Sequence, residues 1–154
     1  MYMCVSPEMF GEGQIAFSIP SHIQRRSVFA ESELEIAKHK WIKSQLAGRD
    51  LGEEAVREWV QLHWSSFVRA RWIEHLRGDC YWNELDSFDF DLVNRKASEK
   101  LCQIVEQLKQ NAEQLNILSW AVDRDEDRDL ILDLLDRLQI NNKRLKHKYD
   151  PYFN

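Results

Sequence analysis

The stretch Glu53–Arg77, EEAVREWVQLHWSSFVRARWIEHLR, is the longest uninterrupted helical pattern in the chain and carries three of its six tryptophans. At 100° per residue, Ala55, Val56, Trp59, Val60, His63, Phe67 and Ala70 share one broad face. Arg57, Glu58, Gln61 and Ser65 fall opposite. From residue 62 onward a second apolar stripe forms, because Trp64, Val68 and Trp72 follow at i, i+4 and i+8. A helix apolar on two sides is one that neighbours cover on both. The spacing therefore predicts a central helix with the rest of the chain packed around it. The second stripe is expected either beneath the C-terminal part of the chain or at a contact with another molecule.

The flanks mark this helix. Gly48 and Gly78 suit the left-handed ends of the preceding helix and of this one. Asp50 and Glu53 have the spacing of a capping box. Residues 48–52 thus read as a tight turn between two helices.

Upstream, a helix is expected from about Ser27 to Ala47. Either Ser27 or the pair Ser32 and Glu35 can start it. Ala30, Leu34, Ala37 and Trp41 make its apolar face, widened by Ile42 and Leu46, so Trp41 is expected in the core with Trp59 and Phe67. Glu31, Glu33 and Glu35 precede Lys38, Lys40 and Lys43, the order that the helix dipole favours. Residues 1–26 hold Pro7, Gly11, Gly13 and Pro20, with a weak alternation at Ile15, Phe17 and Ile19. They read as an extended arm.

Downstream, Asp79 to Asn94 is an aromatic-rich connector with Tyr81, Trp82, Phe88 and Phe90, and a short strand or loop over Phe88–Leu92. Leu101, Ile104, Leu108, Leu115 and Leu118 then predict a helix over about 95–120, with Asn111 in one apolar slot. Leu130, Ile131, Leu134, Leu135 and Leu138 predict a last helix reaching about Lys146. The tail after Asp150 is either docked or free. The architecture expected is all-α: four main helices in two antiparallel hairpins, forming one domain over residues 27–154.

Composition narrows the function. The chain has 154 residues, a net charge of −5 and only five glycines and three prolines. The acidic balance argues against a nucleic-acid binder, which needs a basic surface to displace counterions. Asp50, Glu53 and Glu54 at the start of the central helix would repel phosphates, and Arg69, Arg71 and Arg77 point different ways. Cys4, Cys80 and Cys102 suit free thiols in the cytoplasm. No apolar run reaches the length of a membrane span, and Met1–Pro20 lacks the pattern of a secretory signal.

Chemistry-bearing constellations are few. Glu35 and His39 lie one turn apart, and a hairpin turning near Asp50 sets His39 opposite residues 61–63. Glu35, His39 and His63 could together bind zinc or another divalent metal. Against this, the Glu-x-x-His pattern of di-iron bundles is missing. Glu74 falls on the apolar side of the central helix and needs a partner there, which Arg71, His75 or Arg77 could supply as an ion pair. Asp86, Asp89 and Asp91 lack calcium-loop spacing. No phosphate loop or nucleophile elbow occurs.

The expectation is a cytoplasmic helical protein, without cofactor, that acts by binding another protein or a second copy of itself. Trp64, Val68, Trp72 and Trp82 are the candidate contact residues. The alternative is a bundle binding a metal or small ligand at Glu35, His39 and His63.

Overall fold

The computed structural model describes residues 19–96, 98–146 and 149, without the side chains of 144–146. Helix dominates it. In chain order it has a two-residue strand β1 (Arg25–Arg26), helices α1 (Val28–Ala47) and α2 (Glu53–Arg77), and a second two-residue strand β2 (Tyr81–Trp82). A 3-10 turn (Ser87–Asp89) follows, then α3 (Leu92–Lys96), α4 (Glu99–Lys109), α5 (Gln114–Asp123), α6 (Arg128–Leu138) and α7 (Ile140–Lys146). The expected alternation at Ile15 and Phe17, and the tail from Asp150, lie outside the described residues.

α1 starts at Ser27, whose hydroxyl accepts from the Ala30 N–H at 3.2 Å. Ser32 is instead buried, its hydroxyl donating to the Phe29 carbonyl at 2.8 Å. A second cap arrives from far along the chain. The Glu84 carboxylate accepts from the Ser27 hydroxyl and from the Val28 N–H at 3.1 Å. An acid at that end meets the positive pole of the helix dipole. The parallel pairing of Arg25 with Tyr81 and Arg26 with Trp82 brings Glu84 there.

Gly48 ends α1 at φ 69°, and Gly78 ends α2 at φ 76°. Gly78 is doubly constrained, because a Cβ there would sit 2.4 Å from Asp91 Oδ1. The expected capping box does not form. Gly52 occupies the N-cap of α2 without a side-chain bond, and Asp50 turns back to accept from the Gly52 N–H at 3.0 Å. Asp readily makes such a turn with the backbone two residues on.

Where the sequence predicts two long C-terminal helices, the structure breaks each. Asn111 takes φ 62° after α4, and Gln139 takes φ 52° after α6. The break at Asn111 resets the helical phase. Leu101, Ile104 and Leu108 are buried as expected, but α5 buries Ile117 and Ala121 and leaves Leu115 in solvent. The connector also differs: its strand is Tyr81–Trp82, while Phe88–Leu92 is a 3-10 turn running into α3.

One contiguous apolar core runs from Val28 to Ile140, with α2 at its centre. Trp59 is buried and Phe67 half-buried, but Trp41 is 66% exposed. α1 turns a different face inward than its large apolar residues suggest. Val28, Ser32 and Ile36 are buried, with His39 and Lys43 half-buried on the same side. Two polar contacts lie on that side: Glu58 of α2 takes both His39 and Lys43.

Candidate functional site

Three regions carry the residues singled out by sequence. The first is the groove between α1 and α2, an open cleft of about 480 Å³ that includes Glu35, His39, His63 and Arg71. The His39 and His63 rings lie 6.0 Å apart, edge to face. They do not converge on a common point with Glu35. His39 Nε2–H donates to Glu58 Oε2 at 2.8 Å, while Glu35 pairs with Lys38 at 3.1 Å. His39 and then Lys43 hold the Glu58 carboxyl below its usual range. Among the described residues, no group of three or more His, Cys, Asp or Glu side chains is placed to hold a metal ion. Glu58, the pivot of this groove, falls opposite the main apolar face of α2 on the helical wheel. Only the rotation of α1 makes it a partner.

The second region lies under the C-terminal half of α2. Trp64, Val68, Trp72 and Trp82 are all buried within the chain. Phe29 of α1 stacks on Trp64 at 5.6 Å, and Tyr149 meets its edge at 5.0 Å. Trp72 Nε1–H donates to Asp89 Oδ2 at 2.9 Å, and Lys143 of α7 pairs with the same carboxylate. Trp82 Nε1–H donates to Glu74 Oε2 at 3.0 Å, and Arg26 and Arg71 lie over the Trp82 ring. The second apolar stripe is thus covered from inside, by α1, the 3-10 turn and α7. These four residues offer no open surface to a partner.

Glu74 is only part-buried and pairs with Arg71 at 3.0 Å, the ion-pair alternative for that residue. Its neighbour His75 is fully buried. His75 Nε2–H donates to the Asp86 carbonyl at 2.9 Å, and Nδ1 accepts from the Trp82 N–H at 3.1 Å. Both nitrogens are satisfied by the neutral ring alone. The i+3 step from Trp72 along the second stripe reaches His75, so the sequence does contain its signal. Cys80 is also buried here. Burial pushes its thiol pKa up, and its S–H faces the Gln24 carbonyl at 3.6 Å.

Burial lowers the His75 pKa below its usual value, against a smaller upward pull from the Asp86 carbonyl. Below about pH 6.5 the unfolded chain takes up a proton at this histidine while the folded chain does not. Stability from His75 is therefore complete above pH 6.5 and declines as pH falls through that value, by at most about 1.4 kcal/mol per pH unit for one proton. Urea unfolding at pH 7.5, 6.5 and 5.5 should show the decline in the wild type and a flatter profile in His75→Gln. Parallel profiles would remove His75 as its source.

The third region is the outward face of α1. Leu34 is 58% exposed and Leu46 81%, joining Trp41 and Ile42 in solvent. Ala30 and Ala37 are exposed on the same face. The residues expected to build the core side of α1 instead form its outer surface.

No helix among the described residues is long and apolar enough to cross a membrane. No family model, curated protein or solved structure matches this chain.

Proposed function

We propose that the protein acts by binding another protein through the outward face of α1. The observation that carries this reading is Trp41, two-thirds exposed on the same side of a 20-residue helix as exposed Leu34. Contiguous apolar surface of this kind marks interaction sites. Trp is also the residue type most enriched among binding hot spots. Covering Trp41 and Leu34 would contribute roughly 1.5–3 kcal/mol each. In this reading α1 and α2 form an antiparallel hairpin within one helical domain, with α2 inside and α1 presenting its outer side. The free thiols Cys80 and Cys102 fit a reducing compartment such as the cytoplasm.

The alternative, a ligand site at Glu35, His39 and His63, draws less support. Glu58 and Lys38 already take up His39 and Glu35, and the groove is open along its length.

A photoreactive amino acid placed at Trp41 tests the reading in the native cells. Irradiation should yield a discrete protein adduct, identified by mass spectrometry. The same probe at exposed Asp129 on α6 should not. Adducts at neither site, or equally at both, would overturn it.

A further inference from the structure

We infer that the partner seated on α1 is a second copy of this chain, packed antiparallel, helix against helix. The inference rests on reading α1 as an interaction surface and goes on to name what binds there. Two features of α1 point to this partner and this direction.

The first is size alternation. Ala30, Leu34, Ala37 and Trp41 lie within a roughly 60° arc of the helix, and small and large residues alternate along it. Two such helices running antiparallel set Trp41 opposite Ala30 and Leu34 opposite Ala37, so each large side chain enters a gap left by a small one. Running parallel, they set Trp41 against Trp41 and leave the alanines facing each other across a void.

The second is charge. The spacing of the stripe is that of alternating a and d positions of a heptad, and Glu33 and Lys40 then occupy successive g positions beside it. In an antiparallel pair g faces g, so Glu33 of each copy lies beside Lys40 of the other, twice by symmetry. Glu33 is exposed, and Lys40 has only a loose contact of 3.8 Å with Asp50, so both can re-pair. Such a surface pair contributes little within one chain.

The contact is small. A helix of 20 residues is about 30 Å long. One such face falls in the transient size class, with dissociation constants on the order of 10 μM.

Sedimentation equilibrium from about 1 to 500 μM tests the inference. The wild type should pass from monomer to dimer across that range. Glu33→Lys and Lys40→Glu should each weaken association at least tenfold, since like charges then meet at both ends. An equimolar mixture of the two variants should restore it as a heterodimer. The four side chains of the stripe and Glu33 are exposed and Lys40 is half-buried, so each variant should keep the wild-type circular dichroism and, at concentrations where the wild type is monomeric, its melting temperature. A wild type that stays monomeric, single variants that associate normally, or a mixture that stays monomeric would each overturn the antiparallel dimer. The cross-linking probe at Trp41 separates the two levels. An adduct with a different protein, from a chain that stays monomeric, defeats self-association and leaves the interaction surface standing. No adduct at all defeats both.

Discussion

Replacing Lys143 by methionine should destabilise the protein by about 3–5 kcal/mol, the usual cost of leaving one charge of a buried pair without its partner. Asp89 is 4% exposed and Lys143 8%. The carboxylate receives Trp72 Nε1–H and the Lys143 ammonium, and the ammonium also lies 5.4 Å from the centre of the Trp72 ring. Removing the lysine leaves a buried anion with a single neutral donor. The pair need not be worth that much in net terms, because desolvating both ions offsets much of their attraction. A double variant tells the two apart. Asp89→Asn keeps an acceptor for Trp72, so Asp89→Asn with Lys143→Met should recover most of the loss. Urea unfolding of the four proteins completes the cycle. A single Lys143→Met variant that loses under about 1 kcal/mol would mean the pair is solvated in solution.

Trp59→Ala should cost about 3–5 kcal/mol. The ring is 5% exposed, and Phe67 and Trp64 meet it edge to face at 5.5 and 6.3 Å. Truncation removes that burial and those ring contacts and leaves a cavity. Trp41→Ala is the internal comparison. The same chemical change on the outward face of α1 should alter stability by no more than about 0.5 kcal/mol at concentrations where the chain is monomeric. Equal losses at the two positions would contradict the orientation of α1.

The two tryptophans show how far the sequence reaches. α1 and α2 are legible because their determinants are local. Gly48 and Gly78 stop the helices by adopting positive φ, Ser27 caps α1, and the 3.6-residue repeat of apolar side chains requires only near neighbours. The double-sided character of α2 is legible too, since Trp64, Val68 and Trp72 recur on a face that one neighbour cannot cover. Whether the chain itself or another molecule covers that stripe is decided by the fold, which buries it internally.

The rotation of α1 is not written in its own residues. Apolar side chains occur on both of its sides, and choosing the larger set places Trp41 inside. The smaller set lies inward, where its neighbours come from elsewhere in the chain: Trp64 stacks on Phe29, Glu58 gathers His39 and Lys43, and Glu84 reaches back across more than fifty residues to the start of the helix. The same holds for Glu35, His39 and His63. Their helical spacing brings them to one groove, but ligand geometry depends on which carboxylate each imidazole meets. The breaks at Asn111 and Gln139 lie between these extremes. Each is a single residue turning left-handed inside a periodic pattern, and the pattern alone reads straight through it. Sequence periodicity by itself determined that the chain is mostly helical, where α1 and α2 run, and that α2 lies at the centre, because these depend on spacing along one chain. Tertiary structure decided which face of α1 meets solvent, and with it the candidate interaction surface, because that choice depends on what packs against the helix from residues distant in sequence.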